Sequence, residues 1–327
     1  MTYTRREFGK LALSAIPAAG LLPAATLLPD FGRTLPAPDE KPNSRVAGVQ
    51  IGLNVPFNFG NMAMSGDDIL TNCVQLGISG VELRSQPVEA FLGIPAHLVA
   101  ASGGNRGAAP TPEQQDALKS IAKQRSEWRT SISMDRVKAF RENYENAGVL
   151  IQIVKFDGVG ALTDAEINYS FTLAKTLGAK AISCELSLPD AKRLGPFANK
   201  HKMMVGYHGH EQATPAVFEE VMGYAKYNGC NVDIGHFIAG NNTSPVPFIK
   251  EHHARITHLH IKDMKLNHGP AVPFGEGDAP IKEVLQLIRD NKWPLQATIE
   301  FEYPVPPGST RMAEIAKCIQ YCRDALA

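Results

Sequence analysis

Met203-Met204-Val205-Gly206-Tyr207-His208-Gly209-His210 sets an apolar run against two histidines at its end, and the pattern recurs downstream. Asn231 to Phe237 carries Asp233 and His236, Thr257 to Asp263 carries His258, His260 and Lys262, and Ala297 to Tyr303 carries Glu300 and Glu302. Nine of the ten histidines lie after residue 200, and five of them fall inside the first three segments. A buried strand normally excludes such groups, because burying an unpaired charge is expensive. Four strand ends rich in His, Asp and Glu imply one shared site. A divalent metal is the simplest common partner.

Outward from these segments, short β-type runs alternate with helical stretches from Val46 onward. The expected strands are Val46–Asn54, Gly80–Arg84, Val149–Phe156, Ala179–Leu186, Met203–His210, Cys230–Phe237, Ile256–Asp263 and Ala297–Tyr303. The expected helices lie near Ser65–Gly77, Asp164–Leu177, Asp190–His201, Pro215–Asn228, Val246–His253, Ile281–Asn291 and Thr310–Ala327. Eight strands alternating with helices imply parallel pairing through right-handed crossovers. The pattern predicts an α/β fold, a single-domain (β/α)8 TIM barrel, over residues 43–327. A doubly wound open sheet is the competing architecture, but no G-x-G-x-x-G follows the first strand. From Ser85 to Gly148 more than sixty residues separate the second and third strands. They read as an extended loop plus two helices, on the barrel face where a loop can cover an active site or remain a neutral insertion.

Residues 1–42 read as a segment apart. Arg5-Arg6 precedes an alanine-rich apolar stretch from Leu11 to Leu28, followed by a Pro-rich linker to Pro42. A charged start, a moderately apolar middle and a polar exit describe an export signal of the twin-arginine type. Pro17 and Pro23 interrupt the apolar run and disfavour a spanning anchor. The reading implies a periplasmic protein with no stable membrane span in its mature form. The 327 residues balance 33 basic against 33 acidic side chains. That neutrality argues against a nucleic-acid partner, which needs a basic surface. Cys73, Cys184, Cys230, Cys318 and Cys322 are odd in number and lie in apolar or amphipathic surroundings. They read as small core residues rather than a disulfide framework.

In a barrel the strand ends converge on one mouth, and Glu185, His208, His210, Asp233, His260, Glu300 and Glu302 all lie at or near such ends. His208 and His210 share one strand face, so periodicity alone leaves open which of them is a ligand. Glu185 can be a further ligand, a catalytic base or an ion-pair partner of Lys262. His236 lies just past its strand end, and His258 sits two residues deeper than His260 as a hydrogen-bonded interior residue. Lys262 leaves the same strand face as His260, which places a cation at the mouth or at its rim.

The ordered set Tyr207–His210 (Y-H-x-H), Asp233–His236 (D-x-G-H), His260–Asp263 (H-x-K-D), Gly275-Glu276-Gly277 and Thr298-Ile299-Glu300 resembles the xylose-isomerase-like sugar phosphate isomerase/epimerase superfamily. The likeness runs from about Val46 to the C-terminus and is strongest after Met203. It implies a metal site of His208, Asp233, His260 and Glu300, one ligand from each of the last four strands. It also implies a substrate contact at His236. Glu302 would bind substrate or orient a ligand from behind. Many relatives, the ketose epimerases among them, have a glutamate at the place of His208 that also acts as a proton-transfer base. The histidine here weakens the case for two-base epimerisation. Two nitrogen and two oxygen ligands suit one Mn, Co, Zn, Fe or Ni ion better than an all-oxygen magnesium or calcium cage.

The resemblance implies a metal-dependent isomerase/epimerase-like enzyme working through an enediolate on a sugar, polyol or keto-sugar derivative. Glu185, His210 and Lys262 are the candidate catalytic residues. A keto-sugar lyase or dehydratase, of the 3-keto glycoside type, is the alternative on the same site. An abasic-site endonuclease is opposed by the neutral charge. A non-catalytic periplasmic carbohydrate-binding protein is the alternative of another class. Relatives often pair into homo-oligomers, but nothing in the sequence sets the oligomeric state.

Overall fold

In a computed structural model, which describes residues 41–99 and 111–327, eight parallel strands close into a barrel. The expected export segment lies outside the described residues. The barrel strands are β2 (Val49–Val55), β3 (Gly80–Arg84), β4 (Leu150–Lys155), β5 (Ala181–Glu185), β6 (Met204–Gly209), β7 (Asn228–Asp233), β8 (Ile256–Ile261) and β9 (Gln296–Ile299). Each pairs with the next, and β9 returns to β2 with Gln50 opposite Gln296, which closes the ring. A two-residue strand, β1 (Arg45–Val46), pairs antiparallel with the start of β2. The architecture is the TIM barrel that the alternating pattern predicts.

The helices are α1 (Gly66–Gln75), α2 (Ser85–Phe91), α3 (Pro112–Ser131), α4 (Met134–Asn146), α5 (Asp164–Thr176), α6 (Leu188–His201), α7 (Pro215–Gly223), α8 (Ile234–Asn241), α9 (Val246–His252), α10 (Ile281–Asn291) and α11 (Arg311–Leu326). Their starts follow capping chemistry. Thr163 and Glu166 close a reciprocal capping box on α5, and Ser65 accepts from the backbone of Asp68 at α1. The core is a continuous layer of aliphatic and aromatic side chains between barrel and helices, and all five cysteines are buried and free within it. No helix among the described residues is long and apolar enough to cross a membrane.

Several boundaries differ from the sequence reading. The expected first strand, Val46–Asn54, is broken into β1 and β2 because Ala47 and Gly48 take positive φ (46° and 86°) and turn the chain. The expected sixth strand, Cys230–Phe237, ends at Asp233. There the Asp233 carboxylate accepts the backbone N–H of His236 at 2.9 Å and starts α8. The expected eighth strand stops at Ile299, although the Glu300 N–H still donates to the Ile261 carbonyl. Helix α7 ends at Gly223 rather than Asn228, which already opens β7.

The long insertion contains α3 and α4 as expected, and a further helix, α2, begins directly after β3. It is pinned by Arg129, whose guanidinium bridges Glu89 of α2 and Glu166 of α5 at 2.7 and 3.1 Å. That bridge fixes α3 on the outer helical layer, beside the start of α5.

Candidate metal centre

The ends of β6 to β9 deliver His208, Asp233, His260 and Glu300 to one buried cluster, with one ligand-capable atom from each lying within 4.8 Å of the others. The strand register causes this. His260 pairs with Asp233 across β7 and β8 and with Thr298 across β8 and β9, so Asp233, His260 and Glu300 meet near one level. His208 stands opposite Asn231 on β7, and its ring centroid lies 4.5 Å from that of His260. His210, the open alternative to His208, is half-exposed at the rim above it.

Behind the cluster lies a polar layer that the sequence did not reveal. Glu82 of β3 is fully buried. One carboxylate oxygen takes the His260 Nε2–H at 2.5 Å, while the other accepts from Ser183 and lies 3.3 Å from His258 Nε2. Asn54 of β2 donates to Glu300 Oε1 at 2.8 Å. Asn231 sets its amide 3.3 Å from His208 Nδ1 and 3.0 Å from His260 Nε2. None of these had a sequence signal beyond a polar residue in an apolar strand.

Two lysines enter the site from opposite flanks. Lys262 is 1% exposed, so it does not snorkel. Its ammonium lies 2.6 Å from Glu302, 2.8 Å from Glu300, 3.1 Å from Asp233 and 2.8 Å from His236 Nε2. Four acceptors exceed its three protons, so donation to a substrate oxygen competes with partners already in place. Glu185 is not the partner of Lys262. It pairs instead with Lys155, a buried residue at the end of β4, at 2.8 Å. The other Glu185 oxygen lies 3.4 Å from His210 Nε2, which makes a Lys155–Glu185–His210 row at the rim. His236 and Glu302 approach each other to 3.9 Å on the Lys262 side.

The electrostatics follow from burial and pairing. Burial alone would lower the His260 imidazole, but the carboxylates of Glu300 and Glu82 outweigh it and raise it to about 10. Burial would raise Glu300, yet Lys262 and His260 hold it well below the carboxylate range. Glu82 is likewise lowered against burial by His260 and His258. His208 is pushed well down by burial and by the nearby Lys155 and stays neutral. Lys262 is raised, because Asp233, Glu300 and Glu302 overcome its desolvation.

The residues fit a divalent cation. Asn54 Oδ1 and His260 Nδ1 are buried at the cluster without a hydrogen-bond partner, and Asp233 Oδ2 has only the Lys262 ammonium at 3.1 Å. A buried polar atom without a partner calls for an explanation, and an ion bound among these groups would supply one. Glu82, Asp233, Glu300 and Glu302 set four carboxylates around the single Lys262 ammonium and the His260 imidazole, a surplus of negative charge that suits a cation.

Residues 174–323, the part that carries His208, Asp233, His260 and Glu300, match the family model described as xylose isomerase-like TIM barrel. Solved structures share the fold at low sequence identity. A xylose isomerase domain protein from Planctomyces limnophilus is 15% identical, with TM-score 0.55, over 85% of this chain and 96% of that one. D-psicose 3-epimerase from Clostridium cellulolyticum H10, solved with D-tagatose, is 10% identical, with TM-score 0.55, over 85% and 99%. A xylose isomerase-like TIM barrel protein from Mycobacterium smegmatis, in complex with magnesium, is 14% identical, with TM-score 0.53, over 86% and 99%. No curated protein matches the chain. The family model thus matches the stretch that carries the candidate ligands, and the solved structures share the barrel fold.

Proposed function

We propose that the chain is a divalent-metal-dependent isomerase/epimerase-like enzyme acting on a sugar, polyol or keto-sugar derivative. The observation that carries this reading is the convergence of His208, Asp233, His260 and Glu300 at the mouth, with one ligand-capable atom of each within 4.8 Å of the others. An ion held there would polarise a substrate carbonyl and its neighbouring hydroxyl as a Lewis acid. The ketose-binding epimerase among the structural neighbours makes a keto-sugar a reasonable first substrate class.

The chain's own groups supply the proton chemistry. Lys155 fixes one oxygen of Glu185 and leaves the other toward His210 Nε2. Held this way, Glu185 orients the imidazole, and His210 takes the proton α to the carbonyl to give an enediolate. Lys262 keeps Asp233, Glu300 and Glu302 from repelling one another. His236 and Glu302, at the outer edge of that group, are placed to meet substrate hydroxyls.

Elimination from a keto-sugar is the second reading. It is favoured by the imidazole of His208 at the end of β6, where the resemblance to the ketose epimerases would call for a glutamate acting as a proton-transfer base. The deciding experiment is product analysis by NMR in deuterated water, with a panel of keto-sugars including 3-keto glycosides and added Mn, Co, Zn or Mg. We expect metal-dependent deuterium entry at the carbon α to the carbonyl, with an isomer, an epimer or an eliminated product reporting which reading holds. Tight sugar binding with no metal-dependent exchange would make the protein a binder. The Arg5-Arg6 pair and the apolar stretch after it support export to the periplasm as part of this proposal. Periplasmic accumulation undiminished by changing both arginines to lysine would remove that part.

A further inference from the structure

A glutamate sealed inside a barrel is a costly residue. Glu82 has no exposed surface, and its neighbours in β3, Val81 and Leu83, are buried apolar side chains. An ionised carboxylate survives there only with its lone pairs occupied. Its oxygens are divided. Oε1 accepts from Ser183 and faces His258 Nε2, and Oε2 is given to His260 Nε2 at 2.5 Å. A carboxylate in that position requires the proton of a neutral His260 on Nε2. The other ring nitrogen, Nδ1, then carries the lone pair. It faces the cluster, 3.3 Å from Glu300 Oε1 and 3.9 Å from Asp233 Oδ2, without a hydrogen bond. The Asn231 amide also meets Nε2, at 3.0 Å, and its oxygen is the atom that suits a ring N–H there.

We infer that Glu82 is a positioning residue for the candidate metal centre, holding His260 by Nε2 so that Nδ1 is the atom offered to the ion. A carboxylate behind a ligating imidazole fixes its tautomer and ring orientation and makes it a stronger donor. Glu82, His258 and His260 are themselves close enough to suggest a second ion between them. The 2.5 Å contact argues otherwise, because donors about 2 Å from an ion stand farther apart than that.

The test uses the full chain stripped of metal and titrated with Zn2+, whose diamagnetism permits nitrogen NMR of the histidines. Glu82→Gln should weaken Zn2+ binding by about ten- to a hundredfold, the usual scale for losing such a partner. Ser183→Ala, which touches only the far oxygen, should leave affinity within about threefold under the same reasoning. In the unsubstituted protein, Zn2+ should shift the His260 Nδ1 resonance while Nε2 keeps its proton. That measurement stands even if Glu82→Gln fails to fold. The inference is overturned if Zn2+ shifts Nε2 instead, if two ions bind per chain with Nε2 deprotonated, or if folded Glu82→Gln binds as tightly as the parent. A parent protein that takes up no Zn2+ would overturn the proposed function as well, so the two failures are distinguishable.

Discussion

Strands β6 to β9 carry their chemistry in clusters along the chain: two histidines in β6 and just after it, an aspartate ending β7, two histidines in β8, and glutamates just beyond β9. Strands β2 to β5 bring more scattered polar residues to the site, Asn54, Glu82, Lys155, Ser183 and Glu185, among apolar neighbours. Both halves are parallel, similarly buried and part of one ring. Their contributions differ in kind. In the proposed reading the second half brings the atoms that would face an ion, and the first half brings groups that hold those atoms in place. Asn54 reaches Glu300 and Glu82 reaches His260, while Lys155 pairs within the first half with Glu185 at the end of β5. A closed barrel makes this division workable, because closure brings β2 beside β9 and β3 within reach of β8, far from them in sequence.

The largest effects should come from the second half. Asp233→Ala and His260→Ala should each abolish the single bound ion expected of a four-ligand catalytic site. Metal content by mass spectrometry should fall from about one per chain to background, and turnover should fall with it. Asp233→Ala also removes the cap of α8, at a further cost of about 1 kcal/mol. Full occupancy in both variants would dismantle the comparison, because the second half would no longer be the ligand half.

The next effect is a pH dependence that links the halves. Glu300 and Glu82 raise His260 to about 10 in the ion-free protein, so its imidazole is protonated at neutral pH. An ion must displace that proton. Apparent affinity should therefore rise about tenfold per pH unit and level off near 10, with about one proton released per ion at pH 8. The linkage in the ion-free fold has the opposite sense. A raised imidazole contributes stability that is complete below about 6.5 and is lost as pH climbs toward 10. Calorimetric titration in buffers of different ionisation heat measures the proton count. A count of zero at pH 8 would mean that the carboxylates of the two halves do not act on His260 together.

The unequal legibility of the two halves has a physical cause. Histidines two residues apart at the end of an apolar run, as in Tyr207–His210, are conspicuous because that combination has no cheap buried explanation. The barrel itself was readable from eight alternating segments, and α10 was placed at Ile281–Asn291 from its periodicity. Glu82 was not readable, because one glutamate in Gly80–Arg84 equally describes a solvent-facing strand position. Only closure of the ring places it 2.5 Å from His260, 178 residues away. Lys155 follows the same logic, since a lysine ending a strand ordinarily snorkels. The helix at Ile234–Asn241 was hidden for another reason. Asp233 serves both as the last strand residue and as the helix cap, so an apolar stretch on either side reads as one strand.

Lys262→Met should have an intermediate effect. Its ammonium is buried against Asp233, Glu300 and Glu302, and removing one partner from a buried ionic group costs about 3–5 kcal/mol. The ion-free variant should unfold at correspondingly lower denaturant. Added divalent ion should recover more stability than it gives the parent, because it neutralises the stranded carboxylates. An equal gain in both proteins would show that Lys262 and the ion do not share those carboxylates.

Lys155→Met moves the test to the first half. Glu185 is half-exposed and stays solvated when its partner is lost, so folding and metal content should change little. Turnover should fall about ten- to a hundredfold if the Lys155–Glu185–His210 row aligns the base, the lower range of what a general base contributes. Activity equal to the parent would return Lys155 to a purely structural place and narrow the supporting half to Asn54 and Glu82.

Asn54→Ala should have the smallest effect. The amide donates one hydrogen bond to Glu300 Oε1 at 2.8 Å from a fully buried position. Glu300 retains Lys262 on its other oxygen and His260 near the first, so its charge is not left alone. A hydrogen bond to a charged group contributes about 1.5–3 kcal/mol to stability, and the freed space adds a modest cavity cost. Divalent affinity should drop only a few-fold, because second partners of a ligating carboxylate orient it without supplying its charge. The ratio matters more than either value. Asn54→Ala should cost more stability than Ser183→Ala while changing metal affinity far less than Glu82→Gln. If Asn54→Ala weakens the ion as much as losing a ligand does, the amide oxygen itself reaches the ion, and the boundary between the two halves must be redrawn through β2.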